Sequence, residues 1–362
     1  MNKISLLFFL IFPIILLFGC SDKDKQNVNP DGSDSYQFPL ASNHHIDEDK
    51  LIAAYEHADD LDQLHCLLLS RDGVLISEAY FHGSIRDSLY DIRSVTKSVT
   101  TTLIGIAIDK GYIDDINQTV GDYISPEIYP LEPDKASISI KNLIRMSSGI
   151  PWKEIGPESE FNEWVNAPNQ VNYILDKEMT YDQGTQFNYS DGNAHLVSVI
   201  LTEASGMNSL AFAEMYLFEP MEINDYAWYT DKQGFYYGGV TMDMTAEGLL
   251  KFGQLYLDKG MYGETRIVTE NWISEATESQ ISTENIIPYQ NGYGYFWWTG
   301  SKDGHDYYFA NGYGGQFIVV IPDQDVVIVA LNQWIGISRT ECEINWGNTM
   351  DLIVNEVMQT IN

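Results

Sequence analysis

The chain has 362 residues, 44% of them hydrophobic, with 23 Tyr and 8 Trp, enough to fill the core of one large domain. Its 20 Lys and Arg face 52 Asp and Glu, a formal net charge of -32. A surface of that sign repels phosphate backbones and anionic headgroups, which excludes nucleic acid as a partner and electrostatic docking on lipid.

In chain order, Lys3 precedes an apolar run, Ile4 to Phe18, too short and too poorly flanked for a permanent membrane span. The run closes on Leu17-Phe18-Gly19-Cys20. This resembles the lipobox of bacterial lipoproteins, although Phe18 is bulky for its place. The resemblance implies that residues 1–20 are a lipoprotein signal peptide and that Cys20 is the lipidation site. It also implies export to the bacterial cell envelope, with membrane contact through the lipid anchor only. Residues 21–45 are rich in Asp, Asn, Ser, Pro and Gly and read as a flexible tether, leaving 46–362 as the folded domain. Cys66 and Cys342 sit in apolar or mixed surroundings and are expected as buried free thiols. No Cys/His cluster has metal-ligand spacing, so no metal is expected.

A short helix is expected around 46–60, then two β runs, 64–70 and 74–81. Arg71-Asp72-Gly73 joins them, and Asp-Gly between such runs is a strong hairpin signal. From Ser94 the apolar residues Val95, Val99, Leu103, Ile104 and Ile106 take helical spacing, ending at Gly111. The threonines of this stretch lower its propensity, so burial must hold the helix. The section from about 110 to 235 reads as a mostly helical subdomain, with helices near 139–147 (capped by Ser139), after Asp191 and over 208–218. Helices follow at 245–260 and near Glu270, then strands at 293–299, 305–310, 315–321 and 325–331, and a last helix at 347–360. Strands at both ends with helices between imply an α+β fold whose sheet is assembled from both chain ends.

Ser94 and Lys97 lie three apart on a predicted helix and share a face. A serine hydroxyl becomes a nucleophile when a neighbour takes its proton, and a lysine of altered pKa can do so. Ser-x-x-Lys alone is weak evidence, since a chain of this length holds about one by chance. Three features give it weight. Asp91 to Ser98 heads a helix, where backbone amides favour a developing oxyanion. Phe187-Asn188-Tyr189-Ser190-Asp191 precedes a second apolar helix, and Phe309-Ala310-Asn311-Gly312-Tyr313-Gly314-Gly315-Gln316 lies between two late strands.

Together these segments resemble the serine β-lactamase-type hydrolases, nearest in pattern to the class C, esterase and 6-aminohexanoate-dimer hydrolase branch. Leu143 to Ile150, Gly238 to Met242, Lys251-Phe252-Gly253 and Trp272 look like connecting blocks of the same family. The resemblance implies a β-lactamase/transpeptidase-like fold, an antiparallel sheet flanked by helices, and two-step acyl transfer without a cofactor. Ser94 would be the nucleophile, Lys97 with Tyr189 the general base and acid, and the backbone amides of Ser94 and Tyr313 the oxyanion hole.

Two departures bear on the substrate. The third motif of the family carries Lys or His where this chain has Ala310-Asn311-Gly312, which removes a cation that meets a carboxylate in β-lactam-processing relatives. Asn311 and Gly312 remain candidate substrate contacts. Asp191 takes a place often held by Asn or Ser. There it would hold Lys97 charged, bind a cationic substrate group, or merely cap the next helix. The expected substrate is a small ester or amide, or a peptide. The rival readings are a D-amino-acid peptidase or β-lactamase and, from another class, a non-hydrolytic acyl-binding sensor lipoprotein. His195 suggests a Ser/His/Asp triad, but Lys97 and Tyr189 already fill the base role. Trp297, Trp298, Tyr293 and Tyr295 read as core or pocket lining, and Trp152 and Glu154 as cleft rim.

Overall fold

The computed structural model describes residues 36–154, 159–283 and 286–362. Cys20, the expected signal peptide and most of the expected tether lie outside them. The last part of that tether is packed rather than free: Phe38 and Ala41 are fully buried, and Phe38 stacks edge-on against Tyr55 at 4.7 Å. Two apolar side chains in a polar stretch suffice to draw residues 36–45 onto the domain.

Twelve strands occur among the described residues. They are β1 (Leu64–Arg71), β2 (Val74–Tyr80), β3 (Tyr90–Asp91), β4 (Tyr226–Trp228), β5 (Met242–Met244) and β6 (Met261–Tyr262), then β7 (Thr265–Arg266), β8 (Gly292–Tyr293), β9 (Trp298–Lys302), β10 (His305–Gly312), β11 (Gln316–Ile321) and β12 (Val326–Asn332). The main sheet is antiparallel, in the order β2-β1-β12-β11-β10-β9-β8, so strands from both chain ends meet at β1 and β12. Asp72 and Gly73, both at positive φ, make the two-residue β1–β2 turn that the sequence predicts. A small sheet, β3-β5-β4, stands beside the main one and carries the chain into the segment before Ser94.

The helices are α1 (Glu48–Asp59), α2 (Val95–Asp109), α3 (Val120–Tyr123), α4 (Pro133–Ala136), α5 (Ile140–Ile144) and α6 (Phe161–Asn166), then α7 (Gln170–Leu175), α8 (Asp191–Ser205), α9 (Ser209–Ala213), α10 (Ala246–Leu257), α11 (Glu270–Thr277) and α12 (Arg339–Leu352). From α3 to α9 every labelled element is helical. Helix α2 is buried all round, from Val95 through Ala107, which answers its modest propensity. Some of its hydroxyls make tertiary ties: Ser98 donates to Phe296 O (2.8 Å), and Thr100 to Gly238 O (2.7 Å). A buried polar helix is thereby fixed along its length.

Two expected elements differ. The run 293–299 is not one strand: the chain turns through Gly294–Trp297, with Phe296 at φ 59°, before β9 begins at Trp298. The turn is held from outside the sheet, since Phe296 N donates to Ile144 O and Tyr295 N to Ala276 O. The last helix starts at Arg339, eight residues before the expected 347, because Ser338 and Glu341 form a capping box. Cys66 and Cys342 are both buried free thiols.

Candidate active site

The segment before α2 sets the nucleophile. Arg93 takes φ 51°, a left-handed conformation uncommon for a side-chain-bearing residue, and its amide donates to Asp91 Oδ1 (3.0 Å). The sharp turn presents Ser94 at the head of α2. Ser94 is the N-cap residue, yet its side chain makes no capping bond, which leaves the hydroxyl for other work. Lys97 Nζ, one turn on, lies 2.8 Å from Ser94 Oγ.

Lys97 is almost wholly buried and fully committed. Besides Ser94 it donates to Asp191 Oδ1 at the start of α8 and to Gly239 O (3.1 Å), and it lies 4.9 Å from the centre of the Tyr189 ring. Burial pulls its pKa down, but Asp191, Tyr189 and Glu154 outweigh burial and leave it raised, so the resting lysine is an ammonium. Asp191 is itself fully buried. Of its three expected roles the geometry supports holding Lys97 charged. The capping role belongs to Ser190, whose side chain accepts from Asn193 N, and a wholly enclosed carboxylate offers no face to a substrate cation.

Tyr189, half-buried, stacks on Trp298 (5.6 Å) and meets the edge of Tyr293 (6.1 Å). Burial raises its pKa while the Lys97 ammonium and the Ser94 hydroxyl pull it back; the balance stays above the ordinary phenol value. Tyr293 and Trp298 are buried, as are Tyr295 and Trp297, so the aromatic run forms core and supports the tyrosine from behind.

Glu154 is the residue that sequence reasoning undervalued. Half-buried, it does more than line a rim: it accepts from the buried Trp152 indole (2.6 Å) and from Asp191 N (3.3 Å). Carboxyl groups hydrogen-bonded to each other share a proton, and the Glu154 side chain bonds that of Asp191. Desolvation and the Asp191 charge push Glu154 up to about 8. As an acid it is the donor that the otherwise partnerless Asp191 Oδ2 requires.

The other wall of the site comes from the β10–β11 turn. A Cβ on Gly312 would lie 2.5 Å from Ile92 O, so only glycine lets the strand end close on the segment carrying Ser94. Tyr313, next along, is exposed, and neither its amide nor that of Ser94 donates to an acceptor among the described residues. A buried polar network holds the turn from below. Gln316 Nε2 donates to Asn332 O (3.0 Å), Asn332 Nδ2 to Gly315 O (2.6 Å), and Thr349 Oγ1 to Asn332 Oδ1 (3.2 Å). Asn311 Oδ1 accepts from the Trp346 indole (2.7 Å), which ties it to α12 and leaves its amide group for other partners. Only Gln316 of these supports was visible beside a recognised motif.

His195 belongs elsewhere. Its Nε2 lies 2.9 Å from Asp231 Oδ2 in a buried box between Trp164 and Tyr237, without contact to Ser94. Among the described residues no group of three or more His, Cys, Asp or Glu is arranged to hold a metal ion.

Comparison with known proteins places the chain in a family. The family model described as Beta-lactamase matches residues 66–336. The 6-aminohexanoate-dimer hydrolase of Paenarthrobacter ureafaciens is 27% identical over 290 residues, covering 74% of this chain and 72% of that one. Among solved structures, the octameric penicillin-binding protein homologue of Pyrococcus abyssi superposes with a TM-score of 0.66 at 18% identity, over 84% of this chain and 76% of that one. The class C beta lactamase of Rhodobacter sphaeroides gives 0.62 at 14% identity, over 86% and 100%. These structures share the β-lactamase/transpeptidase-like fold, and the family match spans most of the domain. The chain therefore belongs to the beta-lactamase family and is a serine hydrolase.

Proposed function

We propose that this protein cleaves an ester or amide through an acyl-enzyme on Ser94, with Lys97 and Tyr189 as the base and acid pair. The observation that carries the reading is the 2.8 Å approach of Lys97 Nζ to a Ser94 hydroxyl free of any capping role. The pair becomes active when it releases one proton to solvent. Asp191 keeps the remaining proton on Lys97, so the Tyr189 phenolate takes the Ser94 proton as Oγ attacks the carbonyl carbon. The amides of Ser94 and Tyr313 receive the oxyanion. The Tyr189 phenol then gives its proton to the departing oxygen or nitrogen, and water releases the acyl group by the same steps reversed.

The substrate is proposed to be a small ester or linear amide rather than a β-lactam, since Ala310 stands where the β-lactam-processing relatives carry a cation, and the 27% identical relative is a 6-aminohexanoate-dimer hydrolase. Export and anchoring through Cys20, with residues 1–20 as signal peptide, belong to the same proposal and rest on the sequence of the N-terminus. Ser94→Ala is expected to abolish hydrolysis of a nitrophenyl ester and labelling by a fluorophosphonate, with the melting temperature kept. Unchanged turnover in that variant defeats the assignment, and an acyl adduct on Ser94 that persists in the intact mass favours the sensor reading.

A further inference from the structure

A guanidinium carries five N–H donors in a planar fork. That of Arg93, whose side chain is only 13% exposed, makes no hydrogen bond among the described residues. Its Nε is buried without a partner, and its nearest carboxylate oxygen, Asp91 Oδ2, lies 3.9 Å from Nη1, beyond hydrogen-bond reach. Three rings surround it instead, with centroids at 4.6 Å (Trp334), 5.0 Å (Phe161) and 5.9 Å (Tyr313). Ring faces stabilise the charge but leave the in-plane donors open. Nε is the wholly enclosed donor, and an unmade bond on a half-buried cation is costly, so an arriving acceptor is favoured there.

Position says where that acceptor belongs. Arg93 is the residue before the nucleophile, and its carbonyl is gripped by Thr96, whose hydroxyl donates to it at 2.6 Å. Tyr313 supplies one wall of the cage and also the open amide of the β10–β11 turn. Chain adjacency to Ser94 and the shared Tyr313 wall put a group held by Arg93 on the same side of the site as the β10–β11 turn. The acceptor that matches a rigid planar fork is a carboxylate, bound by two parallel N–H···O contacts.

We infer that Arg93 is a specificity residue that receives a carboxylate borne by the substrate, so that the enzyme acts on esters or amides carrying a free acid group. The local cation sets this preference against an overall charge of -32. The inference rests on the reading of Ser94 as nucleophile, and its test separates the two.

The test is calorimetric binding to the Ser94→Ala chain, with monoethyl glutarate and diethyl glutarate as probes. The monoester is expected to bind at least tenfold tighter than the diester, and Arg93→Met in the same background to remove that preference. Arg93→Lys keeps the charge but not the fork, and is expected to retain part of it; this variant serves if the methionine variant does not fold. Equal affinity for the two probes, or a preference that survives Arg93→Met, overturns the inference. Hydrolysis of either probe by the Ser94→Ala chain overturns the serine reading instead, and product formation reports it independently of affinity.

Discussion

The two walls of the site are built to opposite rules. On the helical side, Lys97 and Asp191 are enclosed and bonded to each other, Glu154 accepts from Asp191 N, and the Tyr189 ring lies beside Lys97. On the strand side, the Ser94 and Tyr313 amides and the Arg93 guanidinium keep donors open, and Tyr313 is exposed. The bonded wall holds the groups that move protons, whereas the open donors of the other await a bound group. The contrast separates chemistry from recognition, and variants on the two walls should fail in different ways.

The largest effect is expected from Lys97→Met. Removing the base pair should cost about 10²–10⁴ in turnover. Loss of the cation also leaves Asp191 enclosed without its counter-charge, a change that costs about 3–5 kcal/mol when a buried pair is broken. Adding Asp191→Asn should restore most of the lost melting temperature and none of the activity. Equal stability of the single and double variants would mean that the pair is not a coupled unit.

On the strand side, Gly312→Ala should leave the proton machinery intact and spoil the oxyanion site. Its methyl would press on Ile92 O at 2.5 Å and on Gln316 Cβ at 2.8 Å, pushing the turn away from Ser94. A displaced oxyanion donor typically costs about 10²–10³ in turnover, while overpacking costs about 1–3 kcal/mol of stability. Measured kcat should fall far more than the melting temperature implies. A variant with parental kcat would remove the Tyr313 amide from the mechanism.

Legibility in the sequence followed the range of the interactions. The Asp72-Gly73 turn, the stop signal at Gly111 just past α2 and the Ser139 cap are local, and each is encoded by one or two residues. The Ser94 and Lys97 pair is local too. Tyr189 and the glycine-flanked turn were found because each sits inside a short recognisable segment. Glu154 was singled out only as rim, because its role depends on Asp191, 37 residues away, and on the fold that brings the two together. The support under the β10–β11 turn joins Asn332 and Thr349 to Gly315 and Gln316, and no pattern of spacing announces it. The split of 293–299 has the same cause, since an aromatic run reads as a strand until Ile144 and Ala276 bend it.

Glu154→Gln should give the smallest effect and the sharpest test of the helical wall. In the folded chain Glu154 titrates at about 8, above the ordinary value of 4.5, because it is desolvated and faces Asp191. The folded state therefore binds the extra proton between those values, and stability falls as pH rises from about 4.5 to about 8. The groups facing it are Asp191, Lys97, Tyr189 and the buried Tyr293, with the Trp152 indole as its donor partner. Ionisation above pH 8 adds a negative charge beside Lys97 and Tyr189, which binds the ammonium proton more tightly and opposes the phenolate. Activity should then show an alkaline fall near pH 8. Glutamine keeps a donor for Asp191 Oδ2 and cannot ionise, so it should remove that limb and raise the melting temperature by about 2–4 °C at pH 9, per kcal/mol of relieved charge. The gain should vanish below pH 5, where both side chains are neutral. An alkaline limb unchanged in Glu154→Gln would assign that titration to the Lys97 and Tyr189 pair itself, and the wall would then be closed without its third member.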